Sequence, residues 1–368
     1  MRKYFLLPIL GLTIACGSED KKVIESEPIS KNTAFELSNL DTSVAPCEDF
    51  YQYAIGGWLK ANPVPSTESR WSSFNTVIDS NNEKLKAILD EFSSQKAEKG
   101  SMEQMIGDYY KSVMDSTLAD KLKLSPLAPV FEKIDQLEND DQLIQLSAEL
   151  RKYGISSLFG LYIGQDDKAS DQYITHIYQS GLGLPDQAYY LKEDEKSKEI
   201  QLAYIEHIGK MLGHANVEDP EGSAHKIYSI EKSLAEVSMT RVERRDPDKT
   251  YNKMTVSDLS KISPNINWLS YISTIGLENV EKLIVSQPIF MTGVSELIKT
   301  VSIEEWKLYM KWSALNSYAS SLSSDFVNQN FDFYSKTLSG TKEMKPRWKR
   351  ALGKVNGGIG ELLSLIHI

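Results

Sequence analysis

The chain has 368 residues, of which 41% are hydrophobic and 25% charged, and its formal net charge is −10. These values predict a globular protein with one large domain or two ordinary ones, because the apolar content is enough for a substantial core. The acidic balance excludes nucleic acid as an expected partner, since phosphate binding requires clustered lysine and arginine side chains.

The first sixteen residues have the features of a signal peptide. Arg2 and Lys3 precede an apolar run at residues 4–14 that is too short to span a bilayer. The sequence Ala15-Cys16 resembles the end of a bacterial lipoprotein signal, in which Cys16 is lipidated. This predicts an extracytoplasmic lipoprotein that is anchored to a membrane of a bacterial cell envelope through its lipid. An ordinary secretory signal, and a secreted or periplasmic protein, is the alternative.

Residues 17–39 are polar and poor in aromatic side chains, which predicts a flexible tether. The aromatic-rich stretch at residues 46–75 follows. It begins like a helix, and we expect Gly56 and Gly57 to end that helix because glycine adopts left-handed backbone angles without steric cost. Residues 70–75 lead into the next helix.

The remainder of the chain predicts helices nearly throughout. Apolar residues recur at helical spacing from Ile78 onward, and Ser302 with Glu305 forms a capping-box pattern that opens a mostly buried helix. Strand-like sequences are scarce; residues 157–164 and 173–178 predict a hairpin across a turn at Asp166. The predicted fold class is therefore mainly α and multi-helical, with at most a small β-hairpin.

Several motifs resemble one known family. The series Pro-Cys-x-Asp-Phe-Tyr-x-Tyr, Gly-Gly-Trp-Leu and Ser-Arg-Trp-x-x-Phe within residues 46–74 is similar to the opening of the neprilysin and endothelin-converting-enzyme family of zinc metallopeptidases. The sequences Gly-Leu-Gly-Leu-Pro, Arg-x-Glu-Arg-Arg-Asp and Pro-Arg-Trp-Lys-Arg follow at residues 181, 241 and 346, as they do in that family. The resemblance covers about residues 41–361.

The resemblance implies a domain organisation. Residues 40–345 would form the helical N-terminal (cap) domain of such a peptidase, and residues 346–368 would begin a catalytic region that is cut short before its zinc motif. The last seven residues, 362–368, depart from the family pattern, so we interpret them as the end of a cut chain.

The resemblance also implies a substrate-binding segment. Arg70 would bind the C-terminal side of a peptide, Phe74 would line the pocket just after the scissile bond, and Asn75 stands where the family often has aspartate. Arginine suits this role because its guanidinium group binds a carboxylate through two hydrogen bonds. From the residues alone, Arg70 as a surface ion-pair partner and Phe74 as a core residue remain alternatives.

A zinc peptidase of this family needs a His-Glu-x-x-His motif, and no two of the five histidines lie four residues apart. His207 and His214 are seven apart, but Gly209 and Gly213 weaken a helix there, so we expect exposed or capping histidines. We assign no catalytic and no metal-binding residue to this chain; zinc is expected only in the full-length protein. If Cys16 is lipidated, Cys47 is left as a free thiol, which we expect to be half-buried.

The expected function is that of the N-terminal, substrate-enclosing part of a zinc metalloendopeptidase that cleaves peptides. Its expected partners are a peptide substrate and the missing C-terminal catalytic domain, and we expect this chain alone to be inactive. The alternative is a lipid-anchored helical binding protein for peptides or glycans.

Overall fold

The computed structural model describes residues 36–277 and 279–367, and the side chains of residues 362–367 are not described. The predicted signal peptide with Cys16, and most of the predicted tether, therefore lie outside the described residues. The chain forms two compact units, of which the first ends at Pro63 and the second begins at Val64.

The first unit contains a 3-10 turn (Leu37–Asn39) and helix α1 (Phe50–Ala61). The expectation that Gly56 and Gly57 end this helix is wrong, because α1 continues through both. Their role is close approach: a Cβ atom at Gly57 would lie 2.2 Å from the carbonyl oxygen of Ser38. Cys47 is exposed rather than half-buried, so that expectation is also wrong.

The second unit is mainly helical, which confirms the predicted fold class. Its helices are α2 (Ser73–Ser94), α3 (Met102–Met114), α4 (Ser116–Leu122), α5 (Ala128–Asp135), α6 (Asp140–Arg151), α7 (Ala188–Leu191), α8 (Glu195–His214), α9 (Pro220–Glu236), α10 (Pro247–Thr250), α11 (Val256–Ile262), α12 (Trp268–Thr274), α13 (Pro288–Thr300), α14 (Ile303–Tyr318), α15 (Ser324–Asn330) and α16 (Arg347–His367). A π-helical segment (Phe331–Thr337) follows α15 directly. The capping box of Ser302 and Glu305 is present and begins α14, as predicted.

A four-stranded sheet lies within this unit, with strands β1 (Phe159–Asp166), β2 (Ala169–Gln179), β3 (Lys253–Thr255) and β4 (Lys282–Val285) in the order β1-β2-β4-β3. The antiparallel β1–β2 pair is the predicted hairpin. The sequence did not predict β3 and β4, which are too short to show an alternating pattern. They extend the hairpin through a parallel pairing of β2 with β4 and an antiparallel pairing of β4 with β3.

The buried Asp166 fixes the end of the hairpin to β3. Its carboxylate accepts hydrogen bonds from Lys253 Nζ at 2.7 Å and from the Tyr251 hydroxyl at 2.8 Å. The hydrogen bond from Lys253 is the main reason that the pKa of Asp166 is lowered to about 2. A charged side chain is thus compensated inside the fold by donors that lie more than eighty residues away.

The buried side chains form two separate hydrophobic clusters. The main cluster surrounds α14, whose Trp306, Tyr309 and Trp312 are almost completely buried. The small cluster is formed by α2, α3 and α16 and contains Leu89, Ile106, Tyr110, Ala351, Leu352 and Val355. Helix α16 therefore packs against α2 and α3 in a cluster that is separate from the main core.

Candidate functional site

The segment that precedes Arg70 is fixed to the segment that precedes α16. The carbonyl oxygen of Ser66 accepts hydrogen bonds from the backbone N–H groups of Lys342 and Glu343, both at 3.0 Å. The Ser66 hydroxyl donates to Glu343 at 2.6 Å, and Lys345 pairs with Glu68 at 2.7 Å. These contacts fix the position of the segment that leads into α2, and so restrict the positions of the residues at the start of that helix.

Helix α2 begins immediately after Ser72, whose backbone is extended. The Ser72 hydroxyl donates to the side-chain oxygen of Asn75 at 2.8 Å, and the Asn75 N–H donates to the Ser72 carbonyl at 2.9 Å. The side-chain N–H groups of Asn75 have no acceptor among the described residues. Asn75 is therefore oriented by Ser72 while its donors remain available.

Phe74 and Arg70 both face solvent at this helix start. The Phe74 side chain is 79% exposed, so the alternative that it is a core residue is wrong. Arg70 is exposed and has no ion-pair partner in the described parts of the chain, which gives no support to the surface ion-pair alternative. An unpaired guanidinium group and an exposed phenyl ring thus lie four residues apart in the sequence, on either side of the start of α2.

The apolar side chains that follow Phe74 continue its exposed face. Val77 and Ile78 are 59% and 54% exposed, whereas Leu89 on the same helix is fully buried. Helix α2 has 22 residues and α3 has 13, which correspond to lengths of about 33 and 20 Å. Helix α3 is therefore too short to cover the whole apolar face of α2, and the part next to Arg70 has no cover among the described residues. The sequence had indicated this face through its helical spacing, but Val77 was not singled out.

Helix α16 crosses the middle of α2 and limits the uncovered part. Lys349 pairs with Asp79 at 2.8 Å, and Lys86 lies 5.8 Å from the centre of the Trp348 ring. The arginine Arg347 connects α16 to α3 by donating to the carbonyl oxygen of Val113 at 2.7 Å. The candidate site consequently comprises Arg70, Phe74, Asn75 and the apolar face formed by Val77 and Ile78.

Neither His207 nor His214 contributes to this site. His207 is buried, stacks on Phe333 at 4.8 Å and contacts Gln329 through Nδ1 at 3.1 Å, so the expectation that it is exposed or capping is wrong. Burial lowers the pKa of His207 to about 3, which keeps its imidazole neutral. His214 is exposed at the end of α8, a helix that neither Gly209 nor Gly213 interrupts.

Zinc, which the family resemblance implies, has no fitting set of ligands in the part of the chain that the structure describes. No group of three or more histidine, cysteine, aspartate or glutamate side chains there is arranged to hold a metal ion. His207 is enclosed by aromatic rings and His214 faces solvent. The described residues can therefore bind and orient a ligand, and we assign them no step that uses a metal.

Comparisons with known proteins confirm the resemblance. The family model described as "Peptidase family M13" matches residues 46–367. Endothelin-converting enzyme 1 of Cavia porcellus is 30% identical over 96% of this chain and 48% of its own, and neprilysin of Mus musculus is 29% identical over 99% of this chain and 52% of its own. The solved structure of the zinc metalloprotease Zmp1 of Mycobacterium tuberculosis in complex with an inhibitor aligns with a TM-score of 0.87 and 28% identity, over 91% of this chain and 51% of that one. The chain thus spans about half the length of the relatives that it matches.

Proposed function

Because the chain belongs to peptidase family M13, we propose that it is the N-terminal, substrate-enclosing part of a zinc metalloendopeptidase that cleaves peptides. The observation that carries this proposal is the family match over residues 46–367 in a chain that spans about half the length of its relatives. In this proposal the chain positions the substrate, and the second half of the protein performs the chemistry.

Arg70, Phe74 and Asn75 are the proposed substrate-binding residues. The exposed guanidinium group of Arg70 is free to form two parallel hydrogen bonds with the C-terminal carboxylate of a peptide. Phe74 offers an apolar surface to a neighbouring substrate side chain, and the free amide N–H groups of Asn75 suit a peptide carbonyl. The contacts of Ser66 with the segment before α16 support this arrangement, because they fix the residues before binding and so reduce its entropic cost.

The proposed partner of the apolar face of α2 is the catalytic region of the same protein. Phe74, Val77 and Ile78 are all more than half exposed, and contiguous exposed apolar surface is typical of an interaction site. The zinc ligands and the general base would belong to that region, because the described residues supply no metal site. We therefore expect this chain alone to be inactive.

The proposed location is extracytoplasmic, in a bacterial cell envelope, with the protein anchored to a membrane through lipid on Cys16. No helix among the described residues is both long and apolar enough to cross a membrane. Labelling of the intact protein with a radioactive fatty acid tests the anchor. Lipidation is supported if the wild type is labelled and the Cys16→Ser variant is not. Secretion of an unlabelled wild-type protein into the periplasm supports the ordinary signal peptide instead.

The proposed function is tested by two measurements on fluorescent peptide substrates. The purified chain should show no hydrolysis that a chelator abolishes, whereas the protein encoded by the complete gene should show it. Chelator-sensitive activity in the chain alone would contradict the division of roles proposed here. The binding-protein alternative would be favoured if the protein encoded by the complete gene is monomeric and inactive but binds a peptide or glycan stoichiometrically.

A further inference from the structure

A cleft lies beside the beginning of α16. Its volume is 690 Å³, which is within the range of small-molecule sites. Its walls come from α3, α4, the end of α14 with the turn that follows, and the first two turns of α16. Tyr109, Val113, Tyr318 and Leu322 provide its apolar surface.

Three cationic side chains line this cleft. Arg347, Arg350 and Lys354 follow one another at spacings of three and four residues, which places them on one face of α16. No carboxylate lies among the residues that line the cleft. The first of the three also stands at the start of α16, where the helix dipole adds positive potential.

The three cations lack the partners that neighbouring cations have. Lys345 and Lys349 form ion pairs with carboxylates at 2.7 and 2.8 Å. Arg347, Arg350 and Lys354 have no carboxylate within 4.0 Å in the described parts of the chain. The difference matters because this protein carries a net charge of −10, so acidic side chains are plentiful elsewhere.

The hydrogen bonds that these cations do make leave several donors unused. Arg347 gives one N–H to Val113, while its buried Nε has no acceptor in the described structure. Arg350 donates through Nε to the carbonyl of Lys345 at 3.2 Å, which leaves the outer guanidinium nitrogens. Lys354 donates to the Ser320 hydroxyl at 2.7 Å. A buried donor without an acceptor is costly, so binding of a group that accepts hydrogen bonds is favoured here.

The charges also interact with one another in a partly desolvated space. Burial, and then the charge of Arg347, lowers the pKa of Arg350, and burial lowers the pKa of Lys354. The hydrogen bonds from Ser324, both at 2.6 Å, and to a smaller extent the charge of Arg347, lower the pKa of Asp120. Asp120 is therefore occupied in joining α4 to α15.

We propose that this cleft binds a small molecule that carries a carboxylate or phosphate group, held by Arg347, Arg350 and Lys354. Two guanidinium groups and an ammonium group match the several acceptor oxygens of such an anion. The cleft connects the two hydrophobic clusters, since Ala351 belongs to the small cluster and Leu322 to the main one. A bound anion would consequently hold α16 against the main core. This proposal does not depend on the peptidase function.

The test is calorimetric titration of the full chain with inorganic phosphate and, separately, with succinate, at constant ionic strength set with sodium chloride. The key variant is the double substitution Arg350→Gln and Lys354→Gln. It keeps Arg347, whose contact with Val113 supports packing. A matched control is Lys226→Gln together with Lys232→Gln, two exposed positions of α9 that remove the same charge.

We expect the wild type and the control to bind phosphate, succinate or both, and the key variant to bind at least tenfold more weakly. Binding of one anion alone supports the proposal and assigns the chemical group. Equal affinity in the key variant, or no heat from either anion beyond that of chloride, overturns it. Circular dichroism of the variant must match the wild type, and if the double variant is unfolded, each single substitution is titrated instead.

Discussion

The indole Nε1 of Trp312 in α14 donates a hydrogen bond to Oε1 of Glu231 in α9 at 2.9 Å, and both side chains are buried in the main core. The other carboxylate oxygen accepts from the hydroxyls of Tyr190 at 2.6 Å and Tyr204 at 2.8 Å. Four helices, α7, α8, α9 and α14, therefore meet at one carboxyl group. The Tyr190 hydroxyl also accepts a hydrogen bond from the N–H of Leu184. This contact connects the Gly-Leu-Gly-Leu-Pro sequence, which begins at Gly181, to the Glu231 carboxyl group.

Loss of this carboxyl group should strongly destabilise the fold. Glu231→Ala leaves the donors of Tyr190, Tyr204 and Trp312 unpaired in the interior, and we expect a loss of about 3–5 kcal/mol in the free energy of unfolding. Denaturant unfolding at pH 6 measures this. Glu236→Gln, at an exposed position of the same helix, should change stability by less than about 0.5 kcal/mol. Equal effects at the two positions would contradict the central role of Glu231.

The same group should make stability depend on pH. Burial raises the pKa of Glu231 from 4.5 to about 7, although its hydrogen bonds favour the charged form. Between these values the folded protein keeps a proton that the unfolded chain releases. The contribution of Glu231 is therefore full below pH 4.5 and falls by about 3 kcal/mol as pH rises to 7.

The measurement is the difference in unfolding free energy between the wild type and Glu231→Gln at pH 4.5 and pH 8. Because glutamine does not titrate here, the difference isolates Glu231 from other acids such as Asp166. We expect the wild type to lose stability relative to the variant at the higher pH. A difference that stays constant would show that Glu231 has an ordinary pKa.

The features that the sequence predicted are those that local interactions determine. The hairpin follows from alternating residues on either side of a turn, and the start of α14 follows from Ser302 and Glu305. Burial of His207 was missed because its partners, Gln329 and Phe333, lie more than one hundred residues away. Gly56 and Gly57 were misinterpreted for a related reason: glycine at a helix end and glycine at a close backbone contact look the same in a sequence.

The candidate site was predictable only in part. Residues 70–75 were expected to lead into a helix, and Arg70 and Phe74 do stand at the start of α2; their role toward a substrate stays a prediction. The uncovered part of α2 could not be anticipated, because it depends on the length of α3 relative to α2. The unpaired cations of α16 were also missed, since the sequence does not show which acids lie nearby.

Replacing each of two helical glycines with alanine should change the free energy of unfolding in opposite directions. A Cβ atom at Gly107 of α3 would lie 2.4 Å from the carbonyl oxygen of Phe92 in α2, whereas one at Gly213 of α8 meets no atom within 4 Å. Gly107→Ala forces α2 and α3 apart and should cost about 1–3 kcal/mol. Gly213→Ala should stabilise the protein by about 0.5–1 kcal/mol, because alanine has the higher helix propensity.

Thermal unfolding of both glycine variants, each compared with the wild type, provides the measurement. A Gly107→Ala protein as stable as the wild type would mean that α2 and α3 do not approach as closely as described. A destabilised Gly213→Ala protein would mean that this part of α8 has a neighbour that the structure does not describe.

The uncovered face of α2 should bind a hydrophobic dye in the isolated chain. Burial of a phenylalanine or isoleucine side chain stabilises a protein by roughly 2 kcal/mol, so this face should also promote association. We expect Phe74→Ser combined with Ile78→Ser to lower dye fluorescence and aggregation without loss of helix content. Leu202→Ser, at a position that is 66% exposed on α8, is the control for a scattered apolar residue. Unchanged dye binding in the double variant would show that the dye binds to a surface other than this face of α2.

Arg70 should discriminate peptides by their C-terminal group in the full-length protein. A lost hydrogen bond between charged groups costs about 1.5–3 kcal/mol, so Arg70→Gln should raise KM for a peptide with a free carboxylate by roughly ten- to one-hundredfold. The same peptide with a C-terminal amide should be affected much less, because it offers no charge to the guanidinium group. For the peptide with a free carboxylate, the KM of Arg70→Lys should lie between those of the wild type and Arg70→Gln, since lysine keeps the charge but not the paired donors. Equal losses for the free and the amidated peptide would show that Arg70 supports the start of α2 and does not contact the carboxylate.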